Sequence, residues 1–229
     1  MDEQAFDSFA TAYDAAVSIE RTHDFFLANL PTRRECVLDV GCGSGVLSFE
    51  LSRHFRHVVA LDISEPMLAI ARERRSASNI EYRLCDASAF SSEPVFDAVV
   101  SHTTFHHLAD VSAVLARLRG CLAPGGRLIL LDCVARLPRF IPRWNMLYRT
   151  HASLRFLPDV IRRGSTEARI LLRFRSSQPW IAHRQSDRYL SRAEFRDVYG
   201  RALPGAQLTK LRSFMGVLWT AMDEGMEKP

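Results

Sequence analysis

An apolar segment that runs directly into three alternating glycines constrains this chain more than any other feature of its sequence. Val37-Leu38-Asp39-Val40 is followed by Gly41-Cys42-Gly43-Ser44-Gly45 and then by Val46-Leu47. Glycine is needed at such a turn because any Cβ would hold a ligand away from the backbone. The helix that follows offers N–H groups without intrahelical partners. The segment therefore predicts a strand, a tight turn and a helix, with a small ligand lying across the turn.

The spacing of the glycines and a later acid indicate which ligand that is. The dinucleotide fingerprint G-x-G-x-x-G requires a third glycine where this chain has Val46, which disfavours a nicotinamide oxidoreductase. Asp62 ends the second predicted strand, 21 residues after Gly41, where a carboxylate can accept hydrogen bonds from both ribose hydroxyls of an adenosine. Asp86 ends the third predicted strand. Taken alone, Asp62 is better interpreted as a helix cap and Asp86 as the first residue of an Asx turn. Together with the glycine turn, the two acids favour a nucleoside site.

Strand-like and helical patterns alternate over the first 132 residues, which is typical of a parallel sheet covered by helices on both faces. The predicted strands are Cys36–Val40, Val58–Leu61, Ile80–Leu84, Phe96–Ser101 and Leu128–Leu131. The predicted helices between them are Val46–His54, Glu65–Arg75 and Asp110–Leu122.

The flanking segments predict helices before this core and a helical insertion after it. A stripe of apolar residues at helical spacing predicts a first N-terminal helix, and a second helix is predicted from Arg21 to Leu30. The stripe consists of Phe6, Phe9, Ala10, Tyr13 and Val17. Leu137–Tyr189 is rich in arginine and proline and predicts a largely helical insertion. A capping box at Ser191-Arg192-Ala193-Glu194 opens a helix to about Tyr199. Ala206–Ser213 and Met215–Ala221 then predict an antiparallel pair.

These patterns predict a single domain over residues 1–229. Its parts are an N-terminal helical lid (1–30), a cofactor-binding core (31–133), a helical cap (134–190), and a C-terminal helix with antiparallel strands (191–229).

From about Val37 to Asp132 the chain resembles the class I S-adenosylmethionine-dependent methyltransferases that act on small molecules. Besides the glycine turn, the resemblance rests on Val59-Ala60-Leu61-Asp62-Ile63-Ser64, Cys85-Asp86-Ala87, Phe96-Asp97-Ala98-Val99-Val100, Phe105-His106-His107-Leu108 and Leu122-Ala123-Pro124-Gly125-Gly126-Arg127-Leu128. It implies a Rossmann-like α/β fold: a seven-stranded, mostly parallel sheet with a C-terminal antiparallel strand and a helical lid insertion.

The resemblance also implies the cofactor, S-adenosyl-L-methionine, its product, S-adenosyl-L-homocysteine, and the residues that contact it. The glycines of the turn (Gly41, Gly43 and Gly45) and Asp39 would lie near the methionine part, and Asp62 would hold the ribose. Ile63 and Met67 would flank the adenine, Asp86 with Ala87 would meet its edge, and the backbone around Ser101 would bind the amino acid end. In this family an N-terminal helix often closes over the cofactor, which makes Tyr13 a candidate lid residue.

Methyl transfer to a hydroxyl needs a base, and the segment after the fourth strand supplies the candidates. His106 and His107 titrate near neutral pH where such a sheet opens toward substrate. We favour His106 as the base, with Tyr13 as its partner; the alternative is that the Phe-His-His-Leu pattern is structural. His102 and His106 have a metal-like spacing but no evident carboxylate or cysteine companion, so a metal site is disfavoured.

The cap indicates the class of acceptor. Its aromatic residues predict an apolar pocket with arginines at its mouth, which suits an aromatic, polyketide-like or quinone-like acceptor and favours O-methylation over N- or C-methylation; they are Trp144, Tyr148, Phe156, Phe174 and Trp180. Ser101-His102-Thr103-Thr104 lacks the Asn/Asp-Pro-Pro-Tyr element of enzymes that methylate base amines, so a nucleic acid is a disfavoured partner. The oligomeric state stays open.

The charge distribution and the fold leave two alternative functions open. The net charge is +4, but Val134–Arg192 carries 13 arginines against three acids, which gives +10 there and −6 elsewhere. Such a basic cap would also suit an RNA methyltransferase. The fold would equally allow a protein that uses the cofactor only as a scaffold, for a cyclisation or for binding.

The composition, with 47% hydrophobic residues, excludes disorder, and no apolar stretch approaches the ~18 residues of a membrane span. The acidic start and five cysteines without a C-x-x-C pair favour the cytoplasm and disfavour a disulfide framework or a zinc site.

Overall fold

The structure, a computed structural model, describes residues 9–19, 23–93, 95–135, 145–187, 189–211 and 214–222. The strands in this part of the chain are β1 (Cys36–Val40), β2 (His57–Asp62), β3 (Ile80–Leu84), β4 (Phe96–His102), β5 (Leu122–Cys133), β6 (Gln207–Leu211) and β7 (Phe214–Thr220). They form one sheet in the order β3-β2-β1-β4-β5-β7-β6. Strands β1 to β5 run parallel, and β7 is antiparallel to both of its neighbours, which confirms the predicted sheet.

The helices that precede the cap are α1 (Ala10–Ile19), α2 (Asp24–Leu27), α3 (Val46–Leu51), α4 (Glu65–Arg74) and α5 (Val111–Gly120). Ser64 caps α4 as its sequence suggests, since its hydroxyl accepts a hydrogen bond from the N–H of Met67, at 3.4 Å. Two of the predicted helices are shorter in the structure. Helix α3 ends three residues before His54, and α2 is one turn of the predicted Arg21–Leu30 segment, whose first two residues lie outside the described ones.

Strand β5 begins six residues before the predicted start, and its glycines explain why. Leu122 already pairs with Phe96, and the register shifts between Phe96 and Ala98, so Pro124-Gly125-Gly126 forms an irregularity within the strand. A Cβ on Gly126 would stand 2.8 Å from the carbonyl oxygen of Ala123. The glycine therefore allows the chain to fold closely onto itself while the strand continues.

Two hydrophobic clusters cover the two faces of the sheet. Side chains alternate along β1, with Val37 facing one cluster and Leu38 the other. Helices α2 and α3 pack on the first face through Phe26, Leu47 and Leu51. Helix α5 and α10 (Arg192–Ala202) pack on the second. The carboxyl ends of β1, β2 and β4 are thereby left at one edge, where ligands bind in sheets of this kind.

A helical cap lies between β5 and α10, as predicted. Its described helices are α6 (Asn145–Leu154), α7 (Phe156–Arg163), α8 (Ser165–Ser176) and α9 (Gln178–Ser186). Helix α1 packs against α8, with Phe9 and Ala16 against Leu171 and Phe174. The N-terminal helix and the cap thus form one layer. The predicted capping box is present at Ser191 and Glu194.

Within the ranges that the structure describes, no helix combines the length and the apolar character needed to cross a bilayer.

Candidate functional site

The glycine turn between β1 and α3 forms the floor of the site. All three glycines have positive φ angles, +71° at Gly41, +54° at Gly43 and +81° at Gly45. A Cβ on Gly41 would lie 2.2 Å from Oγ1 of Thr104, and one on Gly45 would lie 2.6 Å from the hydroxyl of Tyr82. A Cβ on Gly43 would meet only Tyr13, at 3.8 Å. Gly41 and Gly45 therefore allow close packing, whereas the space above Gly43 is open as far as Tyr13.

Asp62 connects this turn to the end of β2. Its Oδ2 accepts a hydrogen bond from the N–H of Gly43, at 2.7 Å, and its Oδ1 accepts one from the N–H of Ser64, at 2.9 Å. Burial raises the pKa of this carboxyl, and these backbone N–H groups oppose the rise. The carboxylate is held in one orientation at the wall of the cleft.

Asp39 lies beneath the turn and is almost fully buried. Its Oδ2 accepts a hydrogen bond of 2.6 Å from the hydroxyl of Ser48. Burial raises the pKa of Asp39 to about 7; Ser48 opposes this rise and Asp62 adds to it. A cationic ligand above the turn would favour the ionised form and so bind more tightly.

A cleft of about 590 Å³, open solvent at its mouth included, extends from the turn along the ends of β1, β2 and β4. The lining residues are Tyr13, Gly41, Gly43, Leu61, Asp62, Ile63, Met67, Cys85, Ala87, His102, Thr103, Thr104 and His107.

Seven of the predicted site residues line this cleft, and the others lie near it. The predicted residues that are not among the described lining residues are Asp39, Gly45, Asp86, Ser101 and His106. Oδ1 of Asp86 accepts a hydrogen bond from the N–H of Ser88, at 2.8 Å, which is the Asx-turn arrangement. The hydroxyl of Ser101 is buried and donates to the carbonyl oxygen of Val40, at 2.7 Å, so it joins β4 to β1.

Thr103 and Thr104 are wall residues that sequence reasoning did not identify. Thr103 has a φ of +58°, which is an unfavourable conformation for a β-branched residue. Its N–H donates to the carbonyl oxygen of Leu131, at 2.7 Å, which holds the chain there. Strained backbone of this kind is concentrated at functional sites, but a threonine in a sequence carries no signal of it.

Helix α1 is fixed over the cleft by a buried acid. Asp14 forms ion pairs with Arg74, at 2.7 Å, and with Arg75, at 2.6 Å. Arg75 also donates to the carbonyl oxygen of Ser44 within the glycine turn, at 2.7 Å. The helix is thus tied to both α4 and the turn. This arrangement places Tyr13 on the cleft wall, where the sequence analysis expected a lid residue.

The two histidines after β4 have different surroundings. Nδ1 of His106 lies 2.6 Å from Oδ1 of Asp132 on β5, and both side chains are buried. His107 lines the cleft, and its ring centroid lies 3.9 Å from that of His106. Burial lowers the pKa of His107 to about 2, with contributions from His106 and His183. The partner of His106 lies 26 residues away in sequence, and no local pattern identifies it.

Two of the aromatic residues predicted to surround the acceptor lie beside Tyr13. Phe174 and Trp180 pack with Phe9 and Tyr13, with ring centroids 4.6 to 6.4 Å apart. Tyr148 and Phe156 are half-buried and are not among the described residues that line the cleft, and Trp144 lies outside the described residues. The cap therefore contributes an aromatic layer behind Tyr13.

Comparison with protein families gives a match over this part of the chain. Residues 38–130, which include the glycine turn, Asp62 and His106, match the model of the family described as "Methyltransferase domain".

The curated relatives carry related names. The chain is 40% identical over 108 residues to an uncharacterised methyltransferase of Mycobacterium bovis, covering 47% of this chain and 55% of the relative. It is 33% identical over 160 residues to the malonyl-[acyl-carrier protein] O-methyltransferase of Salmonella typhimurium, covering 68% and 62%. The chain thus spans between half and two thirds of the length of these relatives.

Among solved structures, the "DhpI-SAH complex" has a similar fold. The two chains superpose with a TM-score of 0.64 and are 19% identical, and the match covers 97% of this chain and 95% of that one. Because this match covers nearly the whole chain, the similarity of fold extends to the cap and the C-terminal strands.

Proposed function

We propose that the chain is a class I S-adenosylmethionine-dependent methyltransferase and that it transfers the methyl group of this cofactor to an oxygen atom of a small acceptor. The observation that carries the proposal is the cleft between the glycine turn and Tyr13, with the carboxylate of Asp62 on its wall. The open space above Gly43 and the fixed carboxylate fit a nucleoside, and the buried Asp39 fits a cation beside it.

We assign the cofactor contacts as follows. Asp62 would hold the ribose hydroxyls, Ile63 and Met67 would flank the adenine, and Ala87 would lie at its edge. The turn from Gly41 to Gly45, with Asp39 beneath it, would face the methionine part, and Tyr13 would cover it. When bound, the cofactor supplies a methyl group on a sulfonium, whose departure leaves a neutral thioether, so no residue has to protonate the leaving group.

The remaining task of the protein is to orient the acceptor and to receive its proton. Alignment of reactants in a closed site can lower a barrier by ~7 to 11 kcal/mol. We propose His106 as the proton acceptor, because Asp132 can hold its Nδ1–H and leave Nε2 as the basic nitrogen. The bond between the acceptor oxygen and the methyl carbon forms as the proton passes to Nε2. His107 is a poor alternative because a pKa near 2 makes it a weak base.

Two features support an oxygen acceptor of small size. A histidine held by a buried carboxylate suits a hydroxyl, which must lose a proton, better than it suits a neutral amine. The named O-methyltransferase among the relatives points to the same atom. The aromatic layer of Phe9, Phe174 and Trp180 behind Tyr13 favours an apolar, ring-containing acceptor.

The first test is calorimetry with S-adenosylmethionine and S-adenosylhomocysteine. We expect both to bind the wild-type chain, and Asp62→Ala to weaken binding by at least tenfold, because a charge-assisted hydrogen bond contributes about 1.5 to 3 kcal/mol. Asp110→Ala, which removes an exposed helix cap that is not among the described residues lining the cleft, is the matched control. Absence of binding by folded wild-type protein would overturn the proposal.

The second test follows methyl transfer from labelled cofactor to phenol-bearing and carboxylate-bearing acceptors. Label in an acceptor oxygen supports the proposal, whereas binding of cofactor with no transfer to any acceptor would favour a scaffold role. For His106→Gln we expect turnover to fall by ~10²-fold, with cofactor affinity unchanged. Near-normal turnover in this variant would remove His106 from the mechanism.

A further inference from the structure

Helices α6 and α7 of the cap carry a row of exposed aliphatic side chains. This apolar row consists of Leu147, Leu154, Leu157 and Ile161, and the last three are 74%, 65% and 77% exposed. Side chains of this kind are normally buried, and single exposed ones need no explanation. Several that face solvent together on one short segment mark a surface that another molecule covers.

The spacing of the apolar row places its members on one side of the two helices. Helical hydrogen bonding continues across Arg155, which donates its N–H to the carbonyl oxygen of His151, at 3.3 Å, and accepts the N–H of Asp159, at 3.0 Å. The members of the row follow one another at intervals of 7, 3 and 4 residues, which recur on one face of such a helix. Ala152 and Asp159 lie on the opposite face and are almost fully buried. Residues 145–163 thus form an amphipathic segment whose apolar row faces solvent.

The charges beside the apolar row are of one sign. Arg149, Arg155 and Arg162 are exposed, and by helical spacing they fall between the row and the buried face. The single acid in residues 145–163, Asp159, is buried and paired with Arg175 of α8. The surface around the row is therefore cationic and attracts an anionic partner. A second copy of the chain would place arginines against arginines, which disfavours a dimer through this face.

We propose that the apolar row is a docking surface for a lipid bilayer that contains anionic lipids. Helices that lie in a membrane interface combine an apolar face with basic residues, whose charged ends reach the headgroups while their stems cover apolar surface. Surfaces that bind proteins depend instead on aromatic anchors, among which leucine is uncommon. The row is aliphatic throughout. Its side chains insert among the acyl chains, and the three arginines beside it bind lipid phosphates.

The docking segment is connected to the cleft through α1. The guanidinium of Arg163, in the last turn of α7, donates to the carbonyl oxygen of Ile19 at the end of α1. Helix α8 packs on α1 as well, through Leu171 and Phe174. Attachment of the cap therefore holds the cleft near a surface in which apolar acceptors dissolve. This consequence rests on the proposed function, whereas the attachment itself does not.

The test is sedimentation of the full chain with sucrose-loaded vesicles, in the absence of cofactor and acceptor, so its failure is separate from failure of methyl transfer. Vesicles made of equal parts of phosphatidylglycerol and phosphatidylcholine are compared with vesicles of phosphatidylcholine alone. We expect binding to the anionic vesicles to be at least tenfold tighter, because each arginine near such a surface contributes to the attraction. This difference should decrease as the salt concentration rises.

Variants separate the apolar row from charge alone. For the double variant Leu154→Gln with Ile161→Gln, we expect binding to the anionic vesicles to fall by at least tenfold, because less apolar surface is inserted. Both side chains are exposed and glutamine favours a helix, so the fold should be kept, which circular dichroism checks. Leu84→Gln, at an exposed leucine of β3, is the matched control and should bind as the wild type does.

A second pair of variants tests the arginines. Arg149→Gln with Arg162→Gln should weaken binding to the anionic vesicles and reduce its dependence on salt. Arg117→Gln, at an exposed arginine of α5, is the control and should have a smaller effect than this pair. Equal effects would mean that the net charge of the chain, not the border of the row, attracts the lipid, and would overturn the assignment.

Two further results would overturn the proposal. Absence of binding to the anionic vesicles would assign the apolar row to a protein partner, and unchanged binding by the Leu154→Gln, Ile161→Gln variant would place lipid contact elsewhere. Sedimentation equilibrium without vesicles tests the second copy. We expect a monomer or a dimer that this variant leaves intact, whereas a dimer that the variant abolishes would show that the row is covered by another chain.

Discussion

At the scale of single residues, the site depends on a few side chains whose ordinary chemistry is changed by burial. Asp39 is the strongest case, because burial raises its pKa to about 7 although its carboxylate accepts a hydrogen bond from the hydroxyl of Ser48. A carboxyl that keeps its proton to neutral pH makes the turn neutral without ligand and anionic when a cation binds. This residue thereby links cofactor affinity to pH.

Replacement of Asp39 by asparagine tests this in the protein without cofactor. The unfolded carboxyl loses its proton near pH 4 and the folded one near pH 7, so the wild type loses stability as the pH rises between these values. Asp39→Asn removes this loss, which amounts to ~4 kcal/mol at most. We expect the stability of the variant relative to the wild type to increase from pH 4 to pH 8, as measured by urea unfolding. Parallel pH profiles would contradict the assigned pKa.

A substitution at Gly41 tests how closely the glycine turn is packed. Gly41→Ala introduces a Cβ that overlaps Thr104 and places an alanine at a positive φ, whereas Gly205→Ala, the matched control, places one at a φ of +80° with no atom within 4 Å of the new Cβ. The strain costs ~1 to 2 kcal/mol at both positions, and overpacking adds ~1 to 3 kcal/mol at Gly41 alone. Urea denaturation should therefore show the larger loss for Gly41→Ala. Equal losses would mean that Thr104 moves aside freely.

At the scale of elements, the position of α1 depends on ion pairs that cross the site. Asp14 is buried and links this helix to Arg74 and Arg75 at the end of α4. Arg75 also donates to the hydroxyl of Ser18, at 2.8 Å. These charges connect the helix to the core and so contribute to the position of Tyr13.

Asp14→Asn should loosen this contact. We expect faster amide exchange in residues 10–19 and a cofactor dissociation constant about tenfold higher, because an unpaired arginine is left at a partly buried site. Glu65→Gln, which alters the exposed pair of Glu65 with Arg72, is the control and should change neither quantity. Unchanged exchange in Asp14→Asn would show that α1 is held by its aromatic contacts instead.

The bounds of the strands and helices also show how far local sequence patterns determine secondary structure. The positions of β1 and β3 are as predicted to the residue, because strand and turn signals at their ends are strong. The early start of β5 and the early end of α3 were missed, because pairing with β4 and packing on the sheet decide where these elements begin and end.

At the scale of the molecule, the described residues that line the cleft come from two parts that are distant in sequence, the carboxyl edge of the sheet and α1, and the cap packs behind α1. A ligand that binds across them stabilises the folded state by mass action. At 100 times its dissociation constant, S-adenosylhomocysteine should contribute about 2.7 kcal/mol, which corresponds to a rise in melting temperature of roughly 5 to 11 °C for a chain of this size. Differential scanning calorimetry measures this, with NADH as the control that should give no shift.

The arginine-rich cap gives a second prediction at this scale. If the cap bound RNA, affinity for a short oligonucleotide would fall steeply with salt. We expect only weak, salt-sensitive association and no change in cofactor affinity when RNA is added, as measured by fluorescence anisotropy. Tight binding that promotes methyl transfer to the RNA would favour the alternative partner.

The sequence alone determined that strands alternate with helices, that a glycine turn follows β1, and that Asp62 ends β2, because each depends on local backbone chemistry or on the number of residues between two strand ends. Only the tertiary structure decided that Asp132 orients His106, that Asp14 fixes α1, and that His183 and Asp187 face His107. These contacts join residues 26 to 80 positions apart. Burial and charge compensation act between neighbours in space, and the sequence of either partner alone carries no signal of the other.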